Sequence, residues 1–348
     1  MAETQKNINP LTLKLKGLWE DRNSEKGKLP LKIKLKAWWE GYDQDEYGKM
    51  ILGEEEEEED DDAEPVVAEK PEPVAALLDS SGWGEARVNI NQLIWGEGFC
   101  GPGGEEHIVS MTKLLALDKK MSLLDVGSTL GGKGRALAEN YGVWVTGLEP
   151  SKLLTEKGNE ISKVKGMGKK VEIIEADFEV EQKFDHNFDR IFSKETLFTV
   201  NNKEQFLRDI YAATKADGLA LFTDYILGSE GSSMKDEFKE WRDSEPVRPY
   251  CQTAEEYKEL IEKVGYKTRV NEDITAQYIE LISDAWKGAT SVVNKLLEEE
   301  DGKEMIDVLL SEAEFWTKRV KLLKSGELKV WRVLGYKADT RSTMMSDW

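Results

Sequence analysis

From Ser122 onward, short aliphatic runs alternate with longer segments whose apolar positions recur at helical spacing. Leu123–Val126, Val143–Leu148, Val171–Glu175, Arg190–Ser193 and Leu219–Thr223 have the length and apolar content of buried strands. Helical spacing fits Arg135–Tyr141, Ser151–Val164 and Lys203–Thr214 between them. This alternation predicts an α/β fold with a doubly wound, mostly parallel sheet of Rossmann-like type. A helix over Thr253–Val264, closed by Gly265, then leads into a sixth strand at Tyr266–Asn271. A helical insertion over about 275–325 precedes a last strand, Leu328–Tyr336.

The turn after the first strand carries the densest chemistry. Ser122–Arg135 reads SLLDVGSTLGGKGR, so a strand end, a glycine-rich turn and a helix start follow one another. Glycine lets backbone approach a ligand closely, and the free N–H groups of a helix start are expected to face it. Glu149 closes the second strand twenty-two residues after Gly127, where an acid can accept hydrogen bonds from a ribose diol. Asp177 ends the third strand, where a carboxylate can take an adenine amino group. The three together predict an adenosine-containing ligand.

Ahead of this domain, Pro10–Glu20 (PLTLKLKGLWE) and Pro30–Glu40 (PLKIKLKAWWE) repeat with a period of twenty. Their apolar positions fit an amphipathic helix, and Leu11, Leu13 and Leu15 also fit an alternating strand; Pro10 after Asn9 suits a helix start. Lysines beside tryptophans give residues 10–42 the composition of a peripheral membrane segment or of a docking site for a protein partner. Glu54–Asp62 is an unbroken acidic run followed by Pro65, Pro71 and Pro73, which predicts a disordered tether. The expected parse is tandem basic segments at 1–50, an acidic linker at 51–75, a catalytic domain at 76–340 and a tail at 341–348.

Charge and composition narrow the classes. The net charge is −20 over 348 residues, and ten acids fall between Glu54 and Glu64. Such a balance argues against a nucleic-acid partner. Cys100 and Cys251, with His107 and His186, are too few for a disulfide framework or a histidine-based metal site. No apolar run approaches the roughly 18 residues of a membrane span, and no signal sequence opens the chain. The expected location is a reducing cytoplasm, with the repeat able to sit peripherally at the inner membrane face.

Val126–Asp177 resembles the class I S-adenosylmethionine-dependent methyltransferases, and Trp95–Tyr336 is similar to their phosphoethanolamine N-methyltransferase branch. The motifs carrying this are GEGFCGPGG at Gly96–Gly104, Thr223-Asp224-Tyr225 after the fifth strand, Arg248-Pro249-Tyr250, and DITAQY at Asp273–Tyr278. The resemblance implies S-adenosylmethionine as cofactor and a small-molecule amine or phospho-headgroup as methyl acceptor. It places Gly127 and Gly131 against the methionyl and ribose portion, Glu149 on the ribose and Asp177 on the adenine. Asp125, Ser128, Pro150, Phe178 and Ser193 complete the candidate cofactor site. It makes Gly96–Gly104 a lid, Arg248 and Tyr250 the phosphate contacts, and Glu195 the acid near the substrate amine.

The chain departs from that branch at three points. Ser128 and Thr129 replace the end of its D-x-G-C-G turn, and Phe99 and Thr199 stand where it has a lid tyrosine and a catalytic histidine. The catalytic candidates are therefore Glu195 and Tyr225 as proton acceptors, with Phe99 in the lid. These departures also motivate a second reading, a catalytically degenerate methyltransferase fold serving as a ligand-binding or scaffold protein. An NAD-dependent dehydrogenase is a third; it needs glycine at Thr129 and leaves Asp177 without a role.

Overall fold

The computed structural model describes Asp79, residues 81–298 and residues 302–339. The expectations for 1–50, 51–75 and 341–348 lie outside these residues. The strands are β1 (Ser122–Val126), β2 (Trp144–Glu149), β3 (Val171–Glu175), β4 (Phe188–Lys194), β5 (Thr214–Leu227), β6 (Lys267–Asp273) and β7 (Leu328–Tyr336). They form one sheet in the order β3-β2-β1-β4-β5-β7-β6. β1 to β5 run parallel, and β7 inserts antiparallel between β5 and β6.

The central strands are mostly apolar because helices cover both faces of the sheet, with Asp125 a buried exception in β1. Side chains alternate across a strand, so Leu124 and Val126 pack with Phe206, Leu207 and Ile210 on one face. Leu123 packs with Leu137, Val145 and Phe192 on the other. The helices are α1 (Glu85–Trp95), α2 (Gly104–Met111), α3 (Gly132–Tyr141), α4 (Lys152–Val164), α5 (Lys203–Ala213), α6 (Asp236–Ser244) and α7 (Ala254–Lys263). α8 (Thr275–Trp286), α9 (Ala289–Leu296) and α10 (Gly302–Ser325) form the insertion before β7.

Several bounds differ from the sequence expectation. α3 starts at Gly132 rather than Arg135, and the insertion is three helices rather than one stretch. β5 extends to Leu227 and contains Thr223-Asp224-Tyr225, which were expected after it. The reason is its partner: β7 pairs with β5 from Leu219 to Leu227 and holds the extra residues in the ladder. α1, α2 and α6 were not anticipated.

α1 and the insertion join into one wall. Trp95 meets Trp316 and Trp286 edge-on, with ring centroids 4.7 and 6.4 Å apart. The same wall holds two ion pairs: Arg87 with Glu312 at 2.5 Å, and Arg319 of α10 with Glu245, just after α6, at 2.7 Å. Strand order reverses between β1 and β4, and a parallel sheet opens a crevice at the carboxyl ends of its strands there. The wall stands over that crevice.

Candidate active site

Gly127 ends β1 at φ +71°, where a Cβ would fall 1.9 Å from the Thr196 hydroxyl. Ser128 fits beneath the turn because residue 147 is glycine; a Cβ there would lie 2.4 Å from its Oγ. Ser128 Oγ donates to Asp125 at 3.1 Å. Lys133 reaches back from α3, donating to the Gly127 carbonyl at 2.7 Å and pairing with Asp125 at 3.3 Å. Asp125, Ser128 and Lys133 thus brace the turn from below, and burial raises the Asp125 pKa.

Thr129 takes φ +52°, a left-handed conformation that a β-branched residue adopts at a cost. Its N–H donates to Glu149 Oε2 at 2.8 Å, while Glu149 Oε1 accepts from Ser151 N–H at 3.0 Å. Ser151 also caps α4 through its Oγ, which accepts from Leu154 N–H at 3.2 Å. Burial pushes the Glu149 carboxyl up to about 7, against the pull of these two backbone donors. One of the α3 N–H groups expected to face a ligand is taken within the protein. Gly132 N–H donates to the Gly98 carbonyl of the lid at 3.0 Å.

A cleft of about 840 Å³ opens above the turn. Gly127, Thr129, Glu149, Pro150, Asp177 and Phe178 line one part, and Phe99, Cys100, Gly101 and Pro102 of the lid line another. Lys194, Glu195, Phe198 and Thr199 come from the end of β4 and the short turn after it. The wall contributes Trp83, Arg87, Glu245, Glu312, Phe315, Trp316 and Arg319. Glu195 sits at φ +54°, donates its N–H to the Thr223 carbonyl at 2.7 Å and pairs with Lys194. The lid covers it closely, since a Cβ at Gly101 would lie 3.4 Å from its Oε2. Burial pushes the Cys100 thiol up to about 12, which leaves it a lining group rather than a nucleophile.

The candidate residues therefore divide. Phe99, Gly127, Glu149, Pro150, Asp177, Phe178 and Glu195 line the cleft; Asp125, Ser128, Gly131 and Ser193 do not. Tyr225 does not line it either: it is 1% exposed, with the Arg319 guanidinium 4.6 Å above its ring. Burial raises its hydroxyl well above the ordinary tyrosine range, which is wrong for a proton acceptor. Arg248 and Tyr250 are exposed and outside the cleft, with the guanidinium 6.0 Å from the ring. The expected phosphate contacts are thus not brought to the site. Lys133, Lys194 and the paired wall residues were missed. Glu312, Phe315, Trp316 and Arg319 recur at i, i+3, i+4 and i+7, so a mixed stripe on α10 was the available signal.

The sheet order, the turn, the acid closing β2 and the antiparallel last strand define a class I S-adenosylmethionine-dependent methyltransferase. A family profile described as mycolic acid cyclopropane synthetase matches residues 105–310, and the chain belongs to that family. It is similar to phosphoethanolamine N-methyltransferase of Plasmodium falciparum (isolate 3D7), 29% identical over 254 residues, covering 70% of this chain and 89% of the relative. It is also similar to that of Triticum aestivum, 28% identical over 208 residues, covering 59% of this chain but 39% of the relative. Among solved structures, Haemonchus contortus phosphoethanolamine N-methyltransferase 2 superposes with a TM-score of 0.64 at 21% identity, covering 72% of this chain and 57% of that one. A cyclopropane synthase from Mycobacterium tuberculosis gives 0.57 at 17% identity, covering 76% and 99%. Both show a shared fold.

The strain at Thr129 is testable. Thr129→Gly should raise stability by about 1 kcal/mol, since glycine adopts this φ without a Cβ penalty. Urea unfolding reads the difference, and an unchanged or lower stability would mean the threonine side chain contributes more than its backbone costs.

Proposed function

We propose that the cleft binds S-adenosylmethionine and methylates the nitrogen of a small amine or phospho-headgroup. The observation that carries this is Glu149, a buried carboxylate at the carboxyl end of β2 that lines the cleft. It would hold the ribose hydroxyls, with Asp177 and Phe178 beside the adenine and Gly127 against the methionyl chain. The relatives support nitrogen as acceptor. They include phosphoethanolamine N-methyltransferases and a glycine/sarcosine/dimethylglycine N-methyltransferase from Actinopolyspora halophila. The Haemonchus contortus protein has been solved with S-adenosyl-L-methionine, and again with phosphomonomethylethanolamine and S-adenosylhomocysteine.

The bound cofactor supplies an electrophilic methyl group. The protein's task is then to align the acceptor, exclude water and receive the amine proton. Phe99 and Thr199 cannot receive it, and Thr199 Oγ1 already donates to the Thr196 carbonyl at 2.8 Å. Glu195 is the carboxylate at the end of β4 that faces the cleft, and the lid closes over it. We assign it as proton acceptor, with Lys194 fixing its direction. Glu195→Gln should lower kcat by about 10²-fold or more and change cofactor affinity by less than about two-fold. S-adenosylhomocysteine release against a panel of amines measures the first and calorimetry the second; unaltered turnover would remove Glu195 from this role.

Among the described residues no helix is long and apolar enough to cross a membrane. The tandem Lys/Trp repeat at 10–42 supports a surface contact, to a membrane or a protein partner. Full-length protein should float with anionic vesicles, and replacing Trp19, Trp38 and Trp39 by alanine should abolish this. Failure of the unaltered chain to float would leave the protein-partner form alone.

A further inference from the structure

The wall of the cleft decides which acceptor it can take, given the methyltransferase reading above. Among the described residues, every cation that lines the cleft already has a carboxylate partner. Arg87 pairs with Glu312, Lys133 with Asp125, Lys194 with Glu195 and Arg319 with Glu245. The Arg319 pair is held by three hydrogen bonds, two at 2.7 Å and one at 3.2 Å, and its side chains are 6% and 3% exposed. A phosphoester carries about −1.5 to −2 charges and is held most strongly by cationic donors free to pair with it. Among the described residues the charges at the wall and the end of β4 cancel, Glu312 against Arg87, Glu195 against Lys194 and Glu245 against Arg319, and leave no positive surplus.

What the wall does offer is aromatic surface. Trp83, Phe315 and Phe99 of the lid line the cleft and are partly exposed, while Phe198 and Trp316, which also line it, are 6% and 3% exposed. These rings already attract cations inside the protein. The Arg319 guanidinium lies 4.5 Å from the Phe315 ring and 4.9 Å from that of Trp316, and the Arg87 guanidinium lies 4.6 Å from Trp83. Aromatic rings beside charges that are already neutralised suit an ammonium group and its methylated products better than a phosphate.

We infer that the methyl acceptor is an amine carrying neither phosphate nor carboxylate, and that Glu245 fills the anion position opposite Arg319. The specificity thus differs from the one the relatives' names give them. Glu245 acts as an internal anion: it satisfies the arginine and repels an acidic substrate. Removing its charge should convert the site, because Arg319 would then face the cleft with an unpaired guanidinium.

The test is calorimetry on the full-length protein in three steps. Binding of S-adenosylhomocysteine comes first; its absence would overturn the methyltransferase reading, and this inference with it. In the S-adenosylhomocysteine complex, phosphoethanolamine and inorganic phosphate should then give no saturable heat at millimolar concentration. N-methylethanolamine, benzylamine and related uncharged-tail amines should include at least one that does. Saturable phosphoethanolamine binding, or no binding by any unphosphorylated amine, would overturn the inference while leaving the cofactor reading intact. Finally, Glu245→Gln should bring inorganic phosphate to saturable binding at millimolar concentration, and no saturable phosphate heat in that variant would overturn Glu245 as the internal anion. If that variant fails to fold, the titrations of the unaltered protein still decide the acceptor class.

Discussion

The Glu149 carboxylate is the constraint on which the rest of the site depends. One oxygen takes the N–H of Thr129 in the turn after β1, and the other takes the N–H of Ser151 at the head of α4. A single side chain thereby fixes two loops that come from different strand ends. It does so while buried, and burial favours its protonated form, with a pKa of about 7. Because the folded pKa is raised, the group's contribution to stability is full below the ordinary carboxylate range and is lost as pH climbs through about 7. Hydroxyl donors from a ribose would favour the ionised form and reverse part of that loss. The site is thus destabilised at neutral pH in the way a ligand can repair.

Around this point the chain uses backbone strain held by local braces. Thr129 and Glu195 both hold positive φ, at +52° and +54°, and both line the cleft. Strain of this kind persists where surrounding contacts over-determine it. Lys133 and Asp125 lock the turn below Thr129, and the Thr223 carbonyl and Lys194 hold Glu195. The lid is tied to the α3 start by one hydrogen bond, from the Gly132 N–H to the Gly98 carbonyl.

The sequence made some of this legible and hid the rest for physical reasons. Buried parallel strands must be apolar on both faces, so β1 to β4 stand out, and Glu149 and Asp177 fall at their ends. The far end of β5 is not legible because it is stabilised by β7, more than a hundred residues away, where Leu227 pairs with Leu328. Arg248 and Tyr250 match a motif, but spacing carries no information on direction, and both point outside the cleft. The wall was invisible for a similar reason. Arg319 and Glu245 are 74 residues apart, and only the packing of α10 against the segment after α6 makes them partners. Whether a charged residue is a ligand contact or an internal ion pair is settled by that packing.

The central claim is that a buried Glu149 with a raised pKa holds the cofactor ribose. Calorimetric titration with S-adenosylmethionine at pH 6 and pH 8, for the unaltered protein and for Glu149→Gln, tests it most directly. The account predicts binding about ten-fold tighter at pH 8 in the unaltered protein, with proton release at pH 6, because binding must ionise the group. In the glutamine variant, binding should be weaker and lose that pH dependence. Equal affinities at the two pH values in the unaltered protein, or the same dependence in the variant, would contradict it.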